Sequence, residues 1–221
     1  MAKKKEVNKY DWYSISGEKY WQIIDILQSD EDDITKQAEL IATIEGISVD
    51  EVLNMPIQES AQKVKSLAFL NEFPMKEYRS LKTQVMGGKT YDVITDMSKL
   101  TTAAFIDYQT YTKLSFRDAY DKILSCFIIP AGFTYNDGYD VAEVQKVIRE
   151  NLSWPEVQSM LHFFLKRYAK SFMRSRQFLI KEIKKEKDQM KREELQSKIK
   201  DMDLQLSLLT HQLQRMIGSA S

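Results

Sequence analysis

A chain of 221 residues is long enough to bury a sizeable core, and 43% hydrophobic with 29% charged residues excludes wholesale disorder. Seven Gly and four Pro are too few to punctuate a strand-rich sandwich, so long helices are expected. The formal net charge is zero but unevenly spread: residues 166–192 carry eleven Lys/Arg against three acids, a local +8, whereas residues 1–165 carry 18 bases and 25 acids.

The chain opens Met1-Ala2-Lys3-Lys4-Lys5 with no apolar core behind the lysines, so this is not a secretory signal. No apolar run approaches the roughly 20 residues that span a bilayer, and the cytoplasm is the expected compartment. Residues 1–16 lack periodicity and read as a flexible lead-in whose Tyr10, Trp12 and Tyr13 are free to dock on a neighbour.

A helical body is expected over 17–182. Tyr20, Ile23, Ile24 and Leu27 recur at helical spacing and predict a helix over 18–28. Asp30 to Asp33 suit the positive end of a second helix, carried on by Leu40, Ile41 and Ile44 and stopped at Gly46. Ser48 and Glu51 form a capping box for a short helix that ends before Pro56. Another helix follows over 58–71, with Ala61, Val64, Leu67 and Ala68 expected inward.

After Pro74 the pattern changes. Residues 81–86 and 89–94 flank Gly87-Gly88, which supplies the positive φ angles of a tight hairpin near 81–95. A lone hairpin is marginal in water, so it must pack on helices or gain another strand. The glycine pair is no phosphate loop, because no Gly-Lys-Ser/Thr follows. Helical pattern resumes near Thr101 (Ala104, Phe105, Tyr108, Tyr111) and again over 116–128, until Pro130-Ala131-Gly132 breaks it. The lone cysteine, Cys126, lies in the apolar run 123–129; it permits no intrachain disulfide and reads as a buried small hydrophobe rather than a nucleophile. Residues 135–140 place carboxylates beside Gly138 but lack the alternating ligands of a calcium loop, so a turn is expected, with Asp140 and Glu143 capping the next helix.

Ser153, Pro155 and Glu156 open the longest element: a Ser cap, a Pro in the first turn and a Glu three residues on. From Glu156 to Ile217 there is neither Gly nor Pro, and one unbroken helix on the order of 90 Å long is expected in preference to a fold-back. Residues 183–217 form its basic, coiled-coil part and 218–221 a tail. Leu195, Ile199, Met202, Leu206, Leu209, Leu213 and Met216 alternate four and three apart, a heptad seam that makes them the candidate partner interface.

Little here carries chemistry. His162 sits among core-type residues and His211 lies in the coiled-coil tail, too far apart in sequence for a local metal pair and without Cys or carboxylate partners at ligand spacing. Nucleophile-elbow, Walker and dinucleotide signatures are absent. No catalytic residue, metal or cofactor is therefore expected, and the protein is expected not to be an enzyme. Arg167, Lys170, Arg174 and Arg176, interleaved with Tyr168, Phe172 and Phe178, are candidate phosphate contacts; the competing reading is a solvated basic face over inward aromatics.

Three stretches resemble a known group: YWQIIDIL with ELIATIEGISVDEVLNMPIQE (20–59), GGKTYDVITDMSKLTTAAFIDYQTY (87–111) and the run from IIPAGFTYNDGYDV to LKRYAKSF (128–172). They resemble tail-assembly-chaperone-like or virion-associated proteins of tailed bacteriophages of Bacteroidetes hosts (crAss-like phages). The resemblance rests on core pattern and punctuation and carries no site residue. It implies a non-enzymatic assembly or structural protein, helical with a small β element, made in the host cytoplasm and either released or retained in the virion. Its expected partners are other phage structural proteins or copies of itself through the C-terminal helix, with nucleic acid on the 166–192 stretch as the alternative and no membrane. The expected fold is mainly α with a small β-hairpin, a compact body followed by a long amphipathic C-terminal helix.

Overall fold

The computed structural model describes residues 10–71 and 82–218; the side chains of 205, 206 and 208–218 lie outside the description. The chain is mainly helical with one small antiparallel sheet. Helix α1 (Gly17–Gln28) is capped by the Ser16 hydroxyl, which accepts from the Lys19 N–H at 3.3 Å. Helix α2 (Asp33–Glu45) starts on the Asp32 carboxylate and stops at Gly46, whose φ of 72° lets the chain turn left-handed where a Cβ would be strained. Helix α3 (Val49–Leu53) carries the Ser48/Glu51 capping box, and α4 (Ile57–Ser66) begins directly after Pro56 and runs into a 3-10 turn, Leu67–Asn71. In this last helical stretch Val64 and Leu67 turn inward, but Ala61 and Ala68 are exposed, contrary to the pattern reading.

Of the expected lead-in, residues 1–9 lie outside the described residues, and residues 10–16 are folded onto the body. Trp12–Ser14 is a 3-10 turn, and Tyr10, Trp12 and Ile15 are buried. The Tyr10 hydroxyl donates to Glu45, and the Trp12 indole N–H donates to the Phe69 carbonyl at 2.9 Å. The Ile15 carbonyl accepts from the Trp154 N–H at 2.7 Å, pinning this segment to the start of the longest helix. Residues 10–16 thus belong to the body, held by contacts with residues some 35 to 140 positions away that no local pattern encodes.

The hairpin forms where expected: β1 (Thr83–Met86) pairs with β2 (Lys89–Val93), and both Gly87 and Gly88 have positive φ. Leu81, the expected start of its first strand, lies outside the described residues. A third strand, β3 (Ile128–Pro130), joins the free edge of β2 with Val93 opposite Ile128 and Tyr91 opposite Pro130. The helix expected over 116–128 is correspondingly shorter: after α5 (Thr102–Tyr111), α6 spans Phe116–Ser125 and then yields to the strand. The edge of β2 offers Ile128 and Ile129 backbone partners that a continued helix would forgo. Helix α7 (Val141–Asn151), opened by the Asp140 side chain, packs on the sheet.

Helix α8 (Trp154–Lys185) has the capping box of Ser153 and Glu156 with Pro155 in its first turn. Trp154 is fully buried, stacked on Tyr20 at 3.9 Å with Trp21, Phe116 and Tyr120 at its edges. One turn after another, Val157, Leu161, Phe164 and Tyr168 continue the core; beyond Tyr168 no residue of α8 is buried. The expected unbroken helix is not present. It stops at Lys185, and α9 (Gln189–Gly218) folds back along it as a helical hairpin, so the boundary set at 183 falls inside α8. The turn needs neither Gly nor Pro because side chains cap both ends. Glu186 is extended, and its carboxylate accepts from the N–H groups of Lys187 and Asp188. Asp188 caps α9 by accepting from the Lys191 N–H at 3.2 Å, while the Arg192 guanidinium donates to the Glu186 carbonyl at 2.6 Å.

Candidate functional site

The short helices α2, α3 and α4 cannot close over their own apolar residues, and a groove of about 280 Å³ runs between them. Its floor is Ala38, Ile41 and Val52, all buried, and its walls include Met55 and Val64. Along the rim Ile34, Leu53 and Ile57 stand 73%, 61% and 85% exposed, an unusual concentration of aliphatic surface on one short stretch of chain. Among the described residues Gln37 and Ser60 are the polar lining residues, and none of the lining is charged. The size is below that of most metabolite pockets, and the lining offers nothing to orient a polar ligand. What fits is one or two apolar side chains presented by another element.

The segment that builds the groove is acidic: residues 30–66 contain nine carboxylates and three lysines. Of the lysines, Lys63 is bound to Glu45 at 2.6 Å. Hydrogen bonds hold two of the carboxylates ionised. The Asp32 pKa is lowered by the Thr35 hydroxyl and then by backbone N–H groups, and that of Glu51 by the Ser48 backbone N–H and hydroxyl.

A second surface of opposite sign lies on α8. At 100° per residue Lys166, Arg167, Lys170, Arg174, Lys181, Lys184 and Lys185 fall within about 100° of arc and form a ridge about 29 Å long. All seven are exposed. The large half-buried apolar residues of this stretch, Phe172, Leu179, Ile180 and Ile183, lie on the other side of the helix, so the ridge faces away from α9. Arg167 sits over the Phe163 ring at 5.2 Å, and Phe178, 61% exposed, borders the ridge one turn from both Arg174 and Lys181.

Of the four candidate phosphate contacts, Arg167, Lys170 and Arg174 are on this ridge, whereas Arg176 is turned across the hairpin to Asp203 at 2.5 Å. That pairing lowers the Asp203 pKa and raises that of Arg176. In the seam, Leu195, Ile199 and Met202 are half-buried on α9, which packs along α8 of the same chain; the side chains of Leu206, Leu209, Leu213 and Met216 lie outside the described residues. His162 is exposed rather than in the core, and the His211 side chain lies outside the description. Cys126 is fully buried, with its thiol pushed up to about 12 by desolvation. The Tyr135 hydroxyl beside it donates to Asp107 at 2.8 Å. Among the described residues no group of three His, Cys, Asp or Glu is placed to hold a metal, and no helix is long and apolar enough to cross a membrane.

Pattern reading passed over the groove because it assigns apolar residues to a helix's inner face, and a rim residue has the same periodicity as a core one. The available signal was α3 and α4 themselves: Leu53 and Ile57 lie in helices too short to bury every apolar residue they carry. No protein-family model, curated protein or solved structure matches the chain.

Proposed function

We propose that the chain is a non-enzymatic assembly or structural protein that works through protein–protein contacts. The carrying observation is the apolar groove of α2–α4 with Ile34, Leu53 and Ile57 left on its rim. Each such side chain contributes about 1.5–3 kcal/mol when a partner removes it from water, against about 0.5–1.5 kcal/mol for each side chain immobilised. The setting is the one implied by the resemblance in residues 20–59, 87–111 and 128–172: virion assembly of a tailed phage in the host cytoplasm, in a tail-assembly-chaperone-like or virion-retained role.

The test is recovery of tagged protein from infected cells. Wild type is expected to bring down defined virion proteins, and Ile57→Asp to lose them while keeping its helical circular dichroism. Unchanged recovery with the variant counts against the groove. The seven-cation ridge favours a second reading, contact with nucleic acid inside the particle. Phosphate binding weakens steeply with salt, whereas apolar docking hardly responds, so a salt titration separates the two.

A further inference from the structure

The groove segment and the ridge are opposite in charge, and each carries an apolar centre. We infer that the groove of one copy receives the α8 ridge of a second copy, anchored by Phe178. This rests on the contact-protein reading above and names its partner.

Four observations carry it. The groove segment, residues 30–66, has a net charge of −6, and residues 166–192 have +8, within a chain whose formal total is zero. Within the described residues the ion pairs cover only part of each surface: Lys63 meets Glu45 and Glu59, Lys185 meets Glu182, and Arg176 meets Asp203. Among the described residues Lys170, Arg174, Lys181 and Lys184 make no ion pair, nor do Asp30, Glu31, Asp33 and Asp50 beside the groove. Both centres are apolar: Phe178 stands 61% exposed between Arg174 and Lys181, and the groove is a size that takes one or two such side chains. Finally, α8 past Tyr168 has no buried residue and turns its ridge away from α9, so a groove on another molecule meets a ready-formed helix. Opposite charges around an apolar anchor set orientation and speed of encounter, and the buried side chain holds the complex. Because groove and ridge are different patches, the contact either closes as a reciprocal pair or propagates head to tail.

The experiment is light scattering of the purified full chain at about 100 µM with salt raised from about 50 mM to about 500 mM, a range over which exposed charges become screened. Wild type is expected above the mass of one chain at low salt, with the dissociation constant rising at least tenfold across the range. Phe178→Asp and Ile57→Asp should each be monomeric at low salt with unchanged circular dichroism, since both positions are exposed. Mixing the two variants pairs an intact groove with an intact ridge and should give a one-to-one complex. A monomeric wild type overturns the inference, as does association that survives both substitutions or a mixture that stays monomeric. Wild type that is monomeric but shifts a DNA duplex also overturns it, and gives the ridge to nucleic acid. The wider contact-protein reading fails separately, when tagged wild type recovers no virion protein from infected cells.

Discussion

Replacing Trp154 by Ala is expected to be the most damaging single change in the body. The side chain is fully buried and stacked on Tyr20 at 3.9 Å and 13°, with Trp21, Phe116 and Tyr120 edge-on at 5.6, 6.0 and 5.5 Å. These partners come from α1 and α6, so the ring ties both helices to the start of α8. Removing a buried Trp costs about 3–5 kcal/mol through lost transfer energy and the cavity left behind. The aromatic pairs lift this toward the upper end, since each is worth about 0.5–1.5 kcal/mol beyond its area. For a body of this size about 4 kcal/mol corresponds to a fall of about 8–16 °C in Tm. Trp154→Phe keeps the stack on Tyr20 and should lose roughly half as much. Urea unfolding followed by far-ultraviolet circular dichroism gives the free energies, and calorimetry the Tm shifts. A loss below about 1 kcal/mol for the Ala variant, at unchanged denaturant slope, would refute the reasoning.

Gly17→Ala should destabilise the body by about 1–3 kcal/mol, because an added Cβ would come 2.7 Å from the Tyr120 hydroxyl and that ring, itself buried, has nowhere to go; unchanged chemical denaturation would show that α1 can shift to make room. Cys126 should resist alkylation at pH 8 in the folded protein and react fully in guanidinium, since burial raises its thiol to about 12. The linked stability is fully present below the ordinary thiol range and is lost as pH climbs from there toward 12, so an alkaline titration should show unfolding and thiol reactivity rising together. Rapid labelling of the native state at pH 8 would contradict the buried placement.

The punctuation of this fold is written locally. Ser48 with Glu51, Ser153 with Glu156, Gly46 and the Gly87-Gly88 pair each act within four residues, and each does in three dimensions what its spacing says. The turn between α8 and α9 was also present in the sequence, as Glu186 and Asp188, but a run of charges with neither Gly nor Pro conceals a cap among ordinary solvated residues. β3 was concealed differently: an apolar segment of three residues has no period, and only the free edge of β2 makes it a strand.

The sequence alone therefore determined the helical class, the hairpin and most helix starts, because capping and turn geometry depend on neighbours along the chain. The tertiary structure decided the rest. It built Tyr10, Trp12 and Ile15 into the core, folded α9 back along α8, and left the rim of α2–α4 exposed. Each of these depends on what distant elements place opposite a residue, and an apolar side chain looks the same in sequence whether a neighbour covers it or none does.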